Sequence, residues 1–405
     1  KLLLGDTYQT VGDYNKAMSI YNSALDQAED LEDKVAIGDA LVGIGQIHNF
    51  RGEDDQAHDY YKRALVIAEE LGDMARIGSR LTDIGNLYEK RGDDDEALDF
   101  HQRVLKIDEE LGNKNYGTLN NIAVIYGKKG DVDQALNYFN RSLAICEELD
   151  DNDGIALLYT NIGLIHYLKR EYDEAIEHSN RGISIYQKLG NKYYLGNSLN
   201  NIGYIFIAKG EYDQAIEYQK RALKISEELD NKEGMANSLL GIANNYSNIG
   251  EYDQALNYLN LGLKICEEQG YKRKIKSYLY QFGDVHLLKG EYDQALDYYT
   301  RSIEIIEELG DEYRLEMITN PFLASKYLGK EYDIQEIHKL IAEADQIDYR
   351  TNFSLYELLN DKLYLENAYD QIQEKGKAME ENVRKKFFSF PIPKSIIEEY
   401  NSEIS

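Results

Sequence analysis

Asparagine recurs at Asn121, Asn161 and Asn201, one residue in forty, with Asn120 and Asn200 beside the row and Asn86 and Asn244 close to its register. Asparagine is a poor helix former on propensity. Its primary amide, however, offers donor and acceptor together and can pair with the C=O and N–H of a peptide backbone of any sequence. A row of such amides would grip an extended chain; amides that merely bridge neighbouring helices would look the same in sequence. Histidine also recurs, at His48, His166 and His286, in a column that elsewhere holds Tyr88, Tyr126 and Phe206. That marks the three as ring substitutes in a helix interface rather than as ligands. No HExxH, paired CxxC, GxxxxGK[ST] or nucleophile elbow occurs, and the Asp and Glu pairs recur in every repeat instead of marking one place. The expectation is a non-enzyme with no catalytic residue, metal ligand or cofactor.

The elements that position these residues come from a repeat. GEYDQA stands at 210–215, 250–255 and 290–295, with GDYNKA at 12–17, GEDDQA at 52–57, GDDDEA at 92–97, GDVDQA at 130–135 and REYDEA at 170–175. In the copy at 74–111, Ile77, Leu81, Ile84 and Tyr88 step by four, three and four, and Ala97, Phe100, Val104, Ile107 and Leu111 step by three, four, three and four. Both are the spacing of one helix face, so each repeat is two amphipathic helices. Gly92 suits a left-handed helix end, and Asp93 to Asp95 suit the next helix start, where carboxylates complement the dipole and can cap amides. Small residues recur at Gly45, Gly85, Ala123, Gly163, Gly203, Ala243 and Gly283 in the first helices, and at Ala17, Ala57, Ala97, Ala135, Ala175, Ala215, Ala255 and Ala295 in the second. Both columns permit close helix approach. From Gly92 to Gly130 the period is 38, which predicts a shortened first helix after Lys114 or a kink that shapes a groove. Arg63, Arg103, Arg141, Arg181, Arg221 and Arg301 form a column expected to pair with nearby acids, and Tyr14, Tyr172, Tyr212, Tyr252 and Tyr292 are expected to cover the helix junction.

The spacing Leu199…Ile202-Gly203…Phe206…Gly210-Glu211-Tyr212…Ala215…Ala222 resembles the tetratricopeptide repeat in its forty-residue form, as in kinesin light chains and bacterial peptide-sensing regulators. The resemblance covers residues 1–330 over about eight units. Usual members close the second helix with proline; here a longer helix and an EELG-type turn take its place. The resemblance implies an all-α solenoid coiled into a right-handed superhelix, with first helices lining the concave face. It places Asp83, Asn86, Asn120, Asn121, Asn161, Asn200, Asn201, Tyr204, Asn244, Tyr280, Gln281 and Asp284 in the groove as the peptide- or partner-binding set, the ladder of Asn121, Asn161 and Asn201 at its centre.

Beyond 330 the pattern decays. Pro321 falls where a helix interior should be and predicts a break, Leu355, Leu358, Leu359, Leu363 and Leu365 mark one or two helices over 353–386, and Pro391-Ile392-Pro393 reads as extended before a short helix from about Ser395. Residues 331–405 are read as a degenerate repeat and helical cap over the last repeat's exposed face. Leu4-Gly5 and Tyr8 sit where Ile84-Gly85 and Tyr88 sit later, so the sequence is expected to start partway into a truncated first repeat of a longer protein.

Composition bounds the partners. With 73 acidic against 45 basic residues, a net charge of −28 repels phosphate backbones, which are bound through cationic side chains. Nucleic acid is excluded as a main partner and a basic or neutral protein or peptide favoured. The absence of an eighteen-residue apolar run argues against a membrane span. Cys146 and Cys266 share a column with Ala68, Ser226 and Ile306, three units apart, which makes them core residues and favours a reducing, cytoplasmic setting. Three functions fit: a scaffold that binds an extended peptide or partner helix, the sensor region of a larger signalling enzyme whose catalytic part lies elsewhere, and self-association through exposed helix faces.

Overall fold

The computed structural model describes residues 1–10, 14–311, 313–344 and 346–404; they form 22 helices and no strand. Two compact units divide the chain, residues 1–169 and 170–405. The first holds α1 (Leu2–Thr10), α2 (Tyr14–Asp30), α3 (Lys34–Phe50), α4 (Asp54–Leu71), α5 (Met74–Arg91), α6 (Asp94–Leu111), α7 (Tyr116–Lys128), α8 (Val132–Glu148) and α9 (Asn152–Leu168). The second holds α10 (Tyr172–Leu189), α11 (Lys192–Lys209), α12 (Tyr212–Glu228), α13 (Lys232–Asn248), α14 (Tyr252–Gln269), α15 (Lys272–Leu288) and α16 (Tyr292–Leu309). It continues with α17 (Leu315–Tyr327), α18 (Ile334–Glu343), α19 (Tyr349–Leu359), α20 (Lys362–Lys377), α21 (Glu381–Ser389) and α22 (Pro391–Glu403). Odd-numbered helices from α3 to α15 are the first of each pair. Gly12, expected to end the first helix of the opening repeat, lies outside the described residues.

The turns follow backbone chemistry. Gly92 ends α5 at φ +86° and Gly112 ends α6 at φ +68°, left-handed positions that glycine takes without a Cβ clash. The capping differs from expectation. Asp93 makes no side-chain cap bond to α6, and Glu211, Glu251 and Glu291 make none to the second helices they open. Side-chain caps sit instead mainly at first helices: Asp73 accepts from the Arg76 amide, Asp151 from Gly154, and Asn191 from Tyr194. Acids at second-helix starts therefore act chiefly through the helix dipole. The 38-residue period appears as a short α7 of 13 residues, against 17 or 18 in α3, α5, α9, α11, α13 and α15.

Within a pair, the small column of the first helix receives a large side chain of the second. Gly45 faces Tyr61, Gly85 faces His101, Gly203 faces Gln219 and Gly283 faces Tyr299; all four partners are buried. The second small column is closed tighter still, every member from Ala17 to Ala295 being 0% exposed. Outside this seam a layered stack repeats. Tyr88 stacks on Phe100 at 5.4 Å, Tyr126 on Tyr138 at 5.6 Å and Phe206 on Tyr218 at 5.2 Å, and His48 and His286 stack on Tyr60 and Tyr298 in the same way. The arginine column is not mainly an ion-pair column: the guanidinium groups of Arg63, Arg103, Arg141, Arg221 and Arg301 lie 5.1–5.5 Å from the ring three residues earlier. That spacing presents cation and ring on one helix face. Arg141 also lies 3.7 Å from Glu109, and Arg181 pairs with Glu177 at 2.6 Å.

Two proline expectations are corrected. Pro321 lies inside a continuous α17; burial of Leu315, Ile318, Leu323 and Ala324 offsets the roughly 3 kcal/mol that an interior proline costs. Pro391 and Pro393 belong to the first turn of α22, where amides have no intrahelical acceptor and a fixed φ suits the helix. The C-terminal helices pack in two places. In one, Ile337, Leu340, Leu355 and Leu358 join Leu315 and Ile318 beside the last repeat. In the other, Leu365, Ile372, Phe387, Phe390 and Ile396 gather around Tyr212, whose ring meets Phe390 edge-on at 5.1 Å. Lys386 pairs with Asp213 there.

The seam makes opposite predictions for two glycines of one unit. A Cβ on Gly45 would lie 2.7 Å from Tyr61 Cε1, whereas on Gly78 it would lie 3.6 Å from Ile107 Cγ2, an ordinary contact. Gly78→Ala should raise the thermal midpoint by about 1–3 °C through the ~1 kcal/mol gain in helix propensity. Gly45→Ala should lower it by about 2–6 °C, because overpacking exceeds that gain. Thermal unfolding followed by circular dichroism reads both.

Candidate functional site

In the first unit the amides of three successive first helices form one directional chain. Asn161 Nδ2 donates to Asn120 Oδ1 at 2.9 Å, Asn120 Nδ2 to Asn121 Oδ1 at 3.4 Å, and Asn121 Nδ2 to Asn86 Oδ1 at 3.3 Å. The helices carry these residues at matching levels, so packing α5, α7 and α9 side by side brings the amides together. Asn86 is exposed and the other three half-buried. Because an amide has two N–H groups and two lone pairs, Asn120 and Asn121 each keep one of both for another partner. Asp83, on the same helix as Asn86, lies 3.6 Å from Arg80; burial lifts its carboxyl to about 6 against the pull of that guanidinium.

The second unit uses the corresponding positions differently. Asn200 is only 8% exposed, and its Oδ1 accepts from Ser238 Oγ at 3.1 Å. It ties α11 to α13 and does not line an open face, because one residue along a helix turns the side chain about 100° away from Asn201. Asn201 and Gln281 are half-buried and hold no hydrogen bond to described residues. Asn244 Oδ1 is enclosed without a donor. Tyr204 is 45% exposed. Tyr280 and Asp284 join first helices to their successors: the Tyr280 hydroxyl donates to the Glu316 carbonyl, and Asp284 Oδ1 accepts from the Tyr299 hydroxyl at 2.7 Å and Asn320 Nδ2 at 2.9 Å.

Three residues absent from the sequence-derived set belong beside it: Asn248, Asn320 and Arg350. Arg350 Nη2 donates to Asn248 Oδ1 at 2.7 Å, one helical turn beyond Asn244, and the Arg350 charge reaches Asp284. Elsewhere, a shallow cleft between α3, α4 and α5 is lined by Ala64, Ile67 and Ala68. Among the described residues no group of three His, Cys, Asp or Glu is arranged to hold a metal ion, and no helix is long and apolar enough to cross a membrane.

Burial also raises the Asp284 carboxyl to about 6, against the Tyr299 and Asn320 hydrogen bonds and Arg350, which lower it. The folded chain thus holds a proton between roughly pH 4 and 6 that the unfolded chain releases, so this group's stabilisation is present at low pH and lost as pH rises through about 6. Asp284→Asn keeps an oxygen for both donors. Its thermal midpoint should match the wild type near pH 4 and exceed it above pH 6; a difference independent of pH would refute the assignment.

No curated protein matches the chain. Solved structures do, at identities that establish the fold alone. A signal transduction ATPase with numerous domains and a tetratricopeptide repeat sensor, from Pyrococcus horikoshii, matches with TM-score 0.56 and 17% identity over 86% of this chain and 54% of that one. A Rap protein complexed with competence and sporulation factor matches with TM-score 0.55 and 14% identity over 91% and 99% of the two chains. The apo form of RapI gives TM-score 0.53 and 20% identity over 67% and 97%. A tetratricopeptide repeat model matches residues 1–70, 116–188 and 194–268, further models of the same repeat match 81–114 and 277–309, and with its paired helices closed on small residues the chain belongs to the tetratricopeptide repeat family.

Proposed function

We propose that this chain captures an extended peptide, or an unfolded segment of a protein partner, along the amides of its first helices. Tetratricopeptide repeats are protein-interaction modules; the finer reading rests on the asparagine chain of α5, α7 and α9. Amide-to-amide bonds orient Asn86, Asn120, Asn121 and Asn161 while leaving one N–H and one acceptor site on each of Asn120 and Asn121 for a peptide backbone. Side chains ordered before binding reduce the entropy lost on association. The Rap protein complexed with competence and sporulation factor, a structure of similar fold, supports partner capture by this architecture. The net charge of −28 favours a basic or neutral partner and an affinity that falls with salt.

A second reading makes the chain the sensor region of a larger signalling protein. It is supported by the Pyrococcus ATPase, in which the matched part is 54% of the chain and a tetratricopeptide repeat sensor is present. The reading frame flanking Lys1 and Ser405 separates the two.

Partners retained by the immobilised chain should be identified and their affinity then measured for wild type and for the Asn120, Asn121 and Asn161 to alanine triple variant. The variant should bind at least about tenfold more weakly, a loss of ~1.4 kcal/mol, with helicity by circular dichroism unchanged. Equal affinity would sink the asparagine row as the peptide grip.

A further inference from the structure

The first turn of α19 and the body of α20 bring two cations to one aromatic ring. Arg350 Cζ lies 5.6 Å and Lys375 Nζ 5.8 Å from the centre of the Tyr349 ring, and Lys375 Nζ also lies 5.5 Å from that of Phe387. Both cations are half-buried. Arg350 donates through Nη2 to Asn248 and through Nε to the Tyr349 hydroxyl at 3.2 Å, and the Tyr212 hydroxyl stands within hydrogen-bonding reach of the same guanidinium. The Lys375 ammonium donates to no described residue, and neither cation has an ion pair among them.

Among the described residues two carboxylates act on this pair, Asp348 favouring the charged form of both cations and Asp284 feeling the Arg350 charge, and both also accept hydrogen bonds. Asp348 accepts from the Arg350 and Thr351 amides at 2.8 and 3.4 Å and from Thr351 Oγ1 at 2.7 Å, as the cap of α19. Asp284 accepts from Tyr299 and Asn320. The remaining neighbours add to the imbalance: burial lowers the Lys375 ammonium, and Arg350 and Arg170 lower it further, against Tyr349 and Asp348. Burial pushes the Tyr349 hydroxyl up, yet Arg350 and Lys375 outweigh it and the net shift is downward. Ring faces attract cations without neutralising them or taking up their N–H groups. Arg350 offers a planar fork and Lys375 a point charge at one ring, neither with an ion pair among the described residues, and these are the parts that recognise an oxyanion.

We propose that Arg350 and Lys375, held on Tyr349 and Phe387, form a binding site for an oxyanion, the carboxylate or phosphoryl group of a ligand. The site lies on the non-repeat helices, with Asn248 at its edge, and stands independently of the asparagine row in the first unit. Its occupant neutralises two like charges that act on one another, so it stabilises the second unit.

The full chain is titrated at constant ionic strength with sodium phosphate or with sodium acetate replacing chloride, and binding is followed by calorimetry and by the thermal midpoint. A saturable response to one anion is expected: phosphate acting at lower concentration assigns a phosphoryl ligand, acetate a carboxylate. Lys375→Met and Arg350→Gln should each weaken that response at least about tenfold, whereas Lys377→Met should leave it intact. In chloride alone, Lys375→Met should melt no lower than wild type, because it keeps the apolar stem and removes the repulsion. A response no larger than in chloride, or undiminished binding by Lys375→Met, overturns the assignment.

Discussion

Helix pairs such as α3–α4 and α15–α16 close because the first helix carries glycine where the second carries one of its largest buried side chains. Tyr61 on Gly45 and Tyr299 on Gly283 are the plain cases. A Cβ of ordinary size would force the ring out, and the alanines of the second small column, all fully buried, would lose their contact together. The constraint acts on shape rather than on chemical type, and for that reason the large position varies. His101 fills it with both ring nitrogens unpartnered, and Phe139 and Leu259 fill it opposite Ala123 and Ala243. Gln219 fills it by accepting from the buried Asn245 amide at 2.8 Å. A buried amide that finds a hydrogen-bond partner can replace a ring there without the cost of an unpaired polar group.

What could be read from the sequence is what the forty-residue period repeats. Helix pairing, glycine turns, the small columns, the shortened α7 and the ring character of His48 and His286 all follow from comparing copies. Features that depend on one copy alone do not. Tyr212 occupies the same column as Tyr252 and Tyr292, yet it alone of the three is covered by Phe390. Pro321 reads as a helix breaker only for a helix that stands by itself; the buried apolar side chains of α17 reverse that. The capping acids show a subtler limit. Asp73 and Asp93 both stand just before a helix, but the bond forms only at Asp73, and composition does not carry the backbone angle that decides it.

The candidate site divides in the same way. The period identifies which residues share a level on successive first helices, and the amides of Asn86, Asn121 and Asn161 do come together in one chain. It does not resolve a rotation of one residue, so it groups Asn200 with Asn201 although Asn200 faces Ser238 in the interior. Arg350 and Lys375 lie past the last regular copy, where no register exists to point at them. Only the packing of α19 and α20 around Tyr349 makes neighbours of residues 25 positions apart.

The charge distribution separates these two regions physically. Many lysines of the repeats meet an acid of their own copy, as Lys34 meets Glu70 and Lys192 meets Glu228, or of the preceding one, as Lys209 meets Asp173, at 2.8–2.9 Å. Such exposed pairs contribute little stability each, but they neutralise the basic side chains locally and leave the acidic excess to set the long-range field. A partner approaching the repeats therefore meets negative potential, screened over about 8 Å at physiological salt. Within that field, the two cations on Tyr349 can hold an anion only through short-range contact, since steering from a distance works against it. On the readings proposed above, basic partners would be favoured at long range and an anion would be held only by contact with Arg350 and Lys375, so shape and hydrogen-bond fit, rather than net charge, would determine what that place accepts.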